Sequence, residues 1–262
     1  MSYDPSMTPP GPGRNSNFDW NEFNPESYLE HNYAEARKDD IRFVSTIGDF
    51  FLGKLGGSDA LRGVDVGTGT NLYPALAMLP FCREITLIER SETNLKWLER
   101  EVLDYSRVWD PFWRELAAKE RYPEVADPVD ALRTKAVVEP GSIFALPRNK
   151  WEIGTMFFVA ESISADVEEF HEGLRRFIGS LVPGAPFAAG FMEQSQGYKV
   201  DGRLFPAVSI TDRDIRKCLK GLVEDDLQFT FESVGDHPLR HGYTGMILAC
   251  GRKRRAETGT GI

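Results

Sequence analysis

Residues 61–70 read Leu61-Arg62-Gly63-Val64-Asp65-Val66-Gly67-Thr68-Gly69-Thr70. The run up to Val66 has the length and apolar character of a buried strand, and it breaks into two glycines separated by one residue. An apolar helix is expected directly after, over 72–79. Strand, glycine turn and helix in that order let the main chain turn tightly and approach a ligand closely, at the carboxyl end of a strand. The loop carries no lysine and no G-x-x-x-x-G-K-[ST] spacing, so it is not a P-loop. Glu84-Ile85-Thr86-Leu87-Ile88 is a second strand, closed by Glu89. A carboxylate at that strand end suits the paired hydroxyls of a ribose. Asp65, inside the end of the first strand, is placed to hold the glycine loop or, through water, a ligand's ammonium group.

Working outward, Asn24-Pro25 reads as an N-cap followed by proline at the first helical turn. A helix over 39–55 buries Ile41, Val44, Ile47, Phe51 and Leu55 on one stripe and stops at Gly56-Gly57. A helix starting at Ser91 places Glu92, Asn94, Lys96 and Glu99 in water. Strands are expected at 136–138, 151–159 and 186–191. Helices are expected at 167–181, before Pro183-Gly184, and at 211–219, capped by Thr211 with Asp214 three residues on. The segments 228–234 and 243–250 close the chain as two strands with no helix between them. This alternation predicts an α/β fold with a mostly parallel sheet covered on both faces and an antiparallel C-terminal strand pair.

The chain of 262 residues has 41% hydrophobic and 27% charged residues and a formal net charge of -9. One large domain over 18–255 is expected, with a cap-like insertion at 104–135. The acidic balance argues against nucleic acid as a partner; the one basic cluster, Arg252-Lys253-Arg254-Arg255, reads as a strand end leading into a tail. Cys82, Cys218 and Cys250 have no metal or disulfide spacing and are expected to be reduced and buried, with no bound metal. No apolar run is long enough for a membrane span, and the N-terminus lacks the pattern of a secretion signal, so a cytoplasmic protein is expected. Residues 1–17 read as a disordered leader or as a lid ordering over a ligand, and 256–262 as a flexible tail.

Tyr28-Leu29-Glu30-His31-Asn32-Tyr33, Asp65-Val66-Gly67-Thr68-Gly69-Thr70-Asn71-Leu72-Tyr73 and Ile88-Glu89-Arg90-Ser91-Glu92-Thr93-Asn94-Leu95 resemble the nicotinamide / phenylethanolamine / thioether (indolethylamine) methyltransferase family. The resemblance runs over about 23–253, looks like an actinobacterial-type member, and is diffuse between Val102 and Lys135. It implies a Rossmann-like class I methyltransferase with S-adenosyl-L-methionine (SAM) as cofactor and a small-molecule acceptor, as a monomer or homodimer. By the same resemblance Tyr28 and Tyr33 contact the amino-acid end of SAM, and Gly67, Thr68 and Gly69 hold its methionine part, with Thr70 and Tyr73 beside them. Glu89 binds the ribose with Asn94 near it, while Arg90, Ser142 and Ile143 lie along the adenine. Residues 158–162, with Phe158 and Ser162 at the ends, fall between cofactor and acceptor.

Two departures from the family bear on the acceptor. Where the amine and pyridine methylators carry an acid after the fifth strand, this chain has Phe191, with Glu193 two residues on; and Asn32 replaces a tyrosine. Glu161 and Glu193 stay as candidates for contacting a nitrogen or taking a proton, with Tyr28 as a third catalytic candidate. Trp109 and Trp113 in the insertion either cap the acceptor or fix the insertion to the core. Tyr198 and Tyr243 are expected in the acceptor pocket, and His237 or His241 is a conceivable general base. Methyl transfer from a sulfonium is an in-line displacement from a good leaving group, so alignment and water exclusion dominate and no triad is required. A nitrogen nucleophile is the first expectation, with an oxygen or carbon acceptor as the alternative. A nicotinamide-dependent oxidoreductase, which shares the glycine turn and distal acid but has a third glycine, and a non-catalytic SAM-binding regulator are the rivals from other classes.

Overall fold

The structure is a computed structural model that describes residues 13–233, 240 and 242–255. The strands in chain order are β1 (Leu61–Val66), β2 (Cys82–Glu89), β3 (Ala136–Pro140), β4 (Ile153–Phe157), β5 (Pro186–Glu193), β6 (Tyr198–Val200), β7 (Arg203–Phe205), β8 (Gln228–Ser233) and β9 (Gly245–Arg252). Strands β6 and β7 pair only with each other; the others form one seven-stranded sheet in the order β3-β2-β1-β4-β5-β9-β8. Pairing is parallel from β3 to β5, and β9 runs antiparallel between β5 and β8. Order therefore reverses between β1 and β4, which opens a crevice at the carboxyl ends of these strands.

The helices are α1 (Pro25–Tyr33), α2 (Lys38–Leu55), α3 (Tyr73–Leu76), α4 (Glu92–Glu101), α5 (Asp110–Ala117), α6 (Pro128–Lys135), α7 (Val167–Ser180) and α8 (Asp212–Leu219). Their starts are fixed by local chemistry. Asn24 Oδ1 accepts from Ser27 N at 3.0 Å, and Ser91 Oγ accepts from Asn94 N at 3.3 Å. Thr211 and Asp214 form a capping box, with Thr211 N donating to Asp214 Oδ2 at 2.8 Å.

Period-two alternation splits the sheet into two apolar faces. Val64, Val66, Phe187, Phe191 and Ile247 pack against α7 and α8, while Ile85, Leu87, Phe157 and Leu248 pack against α2, α3 and the segment holding α5. A third, smaller cluster of Phe23, Tyr198, Val200 and Phe205, flanked by Trp20 and Tyr28, joins the N-terminal segment to the β6–β7 hairpin above the crevice. Among the described residues, no helix is long and apolar enough to cross a membrane. Cys82, Cys218 and Cys250 are free and buried.

Several expectations need correction. The helix expected over 72–79 closes after Leu76, because the chain turns at once to feed β2. Trp151 makes only an isolated bridge with Leu181 ahead of β4, and residues 158–159 leave the sheet. Asn94, expected in water, is 6% exposed, because its helix starts under the roof of the crevice. Residues 13–17 pack rather than trail: Asn15 N donates to Glu169 Oε2 at 2.7 Å and Asn15 Nδ2 to Ile163 O at 3.2 Å. The β6–β7 hairpin has strands of three residues each, too short for alternation to announce them. His237, His241, residues 1–12 and the tail 256–262 lie outside the described residues.

Candidate active site

The crevice is a cavity of about 830 Å³ including its open mouth. Its floor consists of the segments leaving four parallel strands: 67–71 after β1, Glu89 to Asn94 after β2, Gly141 to Ile143 after β3, and Phe157 to Ile163 after β4. Its roof is Asn15, Trp20, Phe23, Tyr28 and Tyr33 from the N-terminal segment, with Tyr198 from β6 and Arg240 from the β8–β9 connection.

The floor at β1 depends on its glycines. Gly67 has φ +66°, and a Cβ on it would lie 2.7 Å from Val159; both facts bar a side chain. Gly69, at φ +53°, leaves its N–H free to donate to Glu89 Oε2 at 2.9 Å. The other oxygen of Glu89 accepts from the amides of Arg90 at 2.6 Å and Ser91 at 2.8 Å. Burial raises the pKa of Glu89 above the ordinary value, and these backbone bonds pull it back. The acid at the end of β2 thus builds the glycine loop as well as facing the cavity. Phe158 holds a left-handed backbone, φ +59°, on the wall, with its N–H donating to Gly190 O at 2.8 Å; such strain is retained where surrounding structure fixes it.

Polar atoms on this wall await a partner. Thr70 Oγ1, Asn94 Oδ1 and both amide atoms of Asn71 are buried with no hydrogen-bond partner among the described residues. Each such group carries a desolvation penalty that a hydrogen-bonding ligand removes. Their position beside Glu89 and the glycine loop fits a ligand with hydroxyls and a charged amino-acid end, and SAM has both.

The sequence-predicted residues divide cleanly by position. Tyr28, Tyr33, Gly67, Thr68, Gly69, Thr70, Glu89, Arg90, Asn94, Ser142, Ile143, Phe158, Ser162 and Tyr198 line the cavity. Asp65 stands behind the wall, its carboxylate accepting from Thr155 Oγ1 at 2.6 Å, and burial pushes its pKa up to about 7. Tyr73 also lies behind, donating to Asp40 Oδ1 at 3.1 Å. Glu161 is fully buried below Ser162; its Oε1 accepts from Met192 N at 3.0 Å and from Ser162 Oγ at 3.1 Å. Its pKa is raised by burial, against the opposing pull of Arg240.

Four other residues are placed elsewhere. Glu193 accepts from Thr244 Oγ1 at 2.8 Å, away from the cavity. Tyr243 packs in the core on the α2 side of the sheet. Trp109 is fully buried, its ring centroid 5.1 Å from that of Tyr33 and its indole N–H donating to Glu101 Oε1 at 2.9 Å. Trp113 packs against Tyr122 at 6.0 Å. Both tryptophans fix the insertion onto α2 and α3 rather than reaching the cavity.

Sequence reasoning missed Asn15, Trp20, Phe23, Asn71 and Arg240. The aromatic density of 18–33 was a signal for the roof. Arg240 gave none, because a loop arginine is solvated by default. In the fold it is 5% exposed. Its Nη1 donates to Ser162 Oγ at 2.6 Å and its Nη2 to Tyr28 Oη at 3.3 Å, with the guanidinium 4.2 Å from the centre of the Tyr198 ring.

Comparisons with known proteins agree with the fold. Residues 16–253 match the model of the NNMT/PNMT/TEMT family. Phenylethanolamine N-methyltransferase of Mus musculus is 23% identical over 227 residues, covering 75% of this chain and 72% of that protein. Indolethylamine N-methyltransferase of Mus musculus is 23% identical over 216 residues, covering 76% of this chain and 81% of that protein. Among solved structures, a SAM-dependent methyltransferase from Methanosarcina mazei superposes with a TM-score of 0.54 at 13% identity, covering 78% of this chain and 96% of that one. One from Clostridium acetobutylicum gives 0.54 at 12% identity, covering 87% and 97%. These structural likenesses establish the Rossmann-like methyltransferase fold, and the family match covers nearly the whole chain: it belongs to the NNMT/PNMT/TEMT family and is a SAM-dependent methyltransferase.

Proposed function

We propose that the protein transfers the methyl group of SAM to a nitrogen of a small-molecule acceptor held in the same cavity. The observation that carries this is the set of buried polar atoms of Thr70, Asn71 and Asn94, without a partner among the described residues, on the wall shared with Glu89. The N-methyltransferase names of the mouse relatives favour nitrogen over oxygen or carbon.

SAM supplies an electrophilic methyl group on a sulfonium. Tyr28 and Tyr33 hold its amino-acid end, residues 67–70 its methionine part, Glu89 and Asn94 its ribose, and Arg90, Ser142 and Ile143 the adenine side. Asp65 and Tyr73 act from behind by fixing the loop and the wall. The aromatic roof of Trp20, Phe23, Tyr28 and Tyr198 excludes water, and alignment in a dry site carries most of the rate. A protonated nitrogen must lose its proton before it can attack. Ser162 lines the cavity and its Oγ donates to the Glu161 carboxylate, whose raised pKa suits it to take that proton. Glu193 and Tyr243 have no part in this reading.

Calorimetric titration of the purified protein with SAM, S-adenosylhomocysteine and NADH tests the cofactor. Micromolar binding of the first two and none of the third is expected; binding of NADH alone, or of nothing, overturns the reading. Mass and NMR analysis of the product from an acceptor screen then assigns the methylated atom, and a methylated oxygen or carbon rejects the nitrogen. We further propose action in the cytoplasm, as a monomer or homodimer without nucleic acid. The three free cysteines and the net charge of -9 support this.

A further inference from the structure

The charge on the cavity wall runs opposite to what a cationic acceptor needs. Among the described lining residues, Glu89 is the one carboxylate, and it is tied to the amides of Gly69, Arg90 and Ser91. The arginines Arg90 and Arg240 face it. Arg90 sits at the β2 end and donates to Asn15 Oδ1. Arg240 sits at the far side, under the roof, next to the exit of β4. Neither Phe191, which stands where the family carries an acid, nor Glu193 at the end of β5 reaches the cavity. Phe191 packs edge-on against Phe170 with centroids 6.1 Å apart, on the opposite face of the sheet, and Glu193 is engaged by Thr244.

Arg240 is a buried cation whose direct contacts among the described residues are two hydroxyls and a ring face. None of the described ion pairs includes it; it shares the Ser162 hydroxyl with Glu161, whose charge also acts on it through space without direct contact. A guanidinium offers five N–H donors in a planar fork. Two are spent on Ser162 and Tyr28, and the Tyr198 ring fixes the plane. A buried charge without a direct counter-charge is costly unless something pairs with it, and a planar fork matches a carboxylate best.

We propose that Arg240, oriented by Ser162, Tyr28 and Tyr198, receives a carboxylate carried by the acceptor, so that the acceptor is a nitrogen nucleophile that also bears an acid group. This deepens the reading above, since it takes SAM binding and a nitrogen acceptor as given. The same hydroxyl that orients Arg240 also touches Glu161, so a carboxylate on Arg240 brings the rest of the acceptor beside Ser162.

The test uses the full chain saturated with S-adenosylhomocysteine, titrated with the isosteric probes benzoate, benzamide and benzylamine and followed by ligand-observed NMR. Benzoate is expected to bind about tenfold or more tightly than either neutral or cationic probe. Arg240→Gln should remove that preference while S-adenosylhomocysteine affinity stays within about threefold. Arg240→Lys, which keeps the charge but not the fork, should fall between them. Equal or tighter binding of benzamide or benzylamine to the wild-type protein overturns the proposal, and this comparison needs no variant to fold. Loss of S-adenosylhomocysteine affinity in Arg240→Gln with the benzoate preference intact also overturns it, assigning Arg240 to the carboxylate of the cofactor instead. Failure of the wild-type protein to bind S-adenosylhomocysteine at all rejects the underlying SAM reading, and the acceptor assignment with it.

Discussion

The carboxylate of Glu89, at the end of β2, accepts from the N–H of Gly69, in the loop after β1, at 2.9 Å. One side chain thereby links the two strand ends that form the cofactor floor. Because Glu89 Oε1 is also held by the amides of Arg90 and Ser91, the carboxylate cannot swing away. Glu89→Ala removes the tie to the loop and, on the proposed reading, the ribose contact. A charged hydrogen-bond contact is worth about 1.5–3 kcal/mol, so SAM affinity should fall by about ten- to a hundredfold. Calorimetry measures it, and an unchanged affinity refutes the ribose assignment.

The pair Ser162 and Glu161 offers a kinetic test. Glu161→Gln keeps an acceptor oxygen for Met192 N but cannot take a proton. General-base catalysis contributes about 10²–10⁴-fold, so kcat should fall within that range while SAM binding is retained. The acidic limb of the kcat profile against pH should vanish with it. A kcat equal to that of the wild type, with any acceptor turned over, removes Glu161 from the proton path.

Trp109 separates packing from recognition. Its ring is fully buried against Tyr33 and Phe112, with centroids 5.1 Å and 5.7 Å away. Trp109→Ala should cost about 3–5 kcal/mol of stability, read from chemical denaturation. The milder Trp109→Phe, which removes one of the three donors to Glu101 Oε1, should lower Tm and leave the KM for the acceptor unchanged. A selective rise in that KM would place Trp109 in acceptor recognition after all.

Asp40 makes stability depend on pH. It is buried, accepts from Tyr73 Oη at 3.1 Å, and its pKa is pushed from 3.8 to about 7, first by burial and then by the neighbouring Asp39. Between these two values the folded protein holds a proton that the unfolded chain releases. Its contribution to stability therefore falls by about 1.4 kcal/mol per pH unit as pH rises through that window, and levels off above it. Asp40→Asn retains the bond from Tyr73 and abolishes the titration. Thermal melts should show this variant gaining on the wild type more at pH 8 than at pH 5; an equal difference at both values discards the assignment.

The central elements were legible because short-range rules specify them. β1 has the limits expected, since an apolar run ends at glycines that only a turn explains, and Asn24, Ser91 and Thr211 announce helix starts through their own side chains. The floor of the cavity followed, because Gly67, Gly69 and Glu89 sit at strand ends that a parallel sheet must bring together. What was not legible lies where weak local signals meet long-range contact. Asn94 read as a surface position from its helix pattern, and only the family resemblance put it beside the cofactor; Asn15 belonged to a segment poor in apolar residues, and the strands of the β6–β7 hairpin are too short to show a period.

Local patterns in the chain thus specify the sheet, its switch point and the floor of the cavity, since hydrophobic periodicity, caps and glycine turns act over a few residues. Long-range contacts set the roof and the sign of charge on the cavity wall. Trp109, a candidate for the pocket, is drawn into the core by the ring faces of Tyr33 and Phe112. Arg240, 78 residues from Ser162 in the chain, becomes a wall of the cavity because β9 inserts beside β5 and begins, at Gly245, against the carboxyl end of that strand. Such encounters depend on which chain segments the sheet order brings together, and no local pattern encodes them.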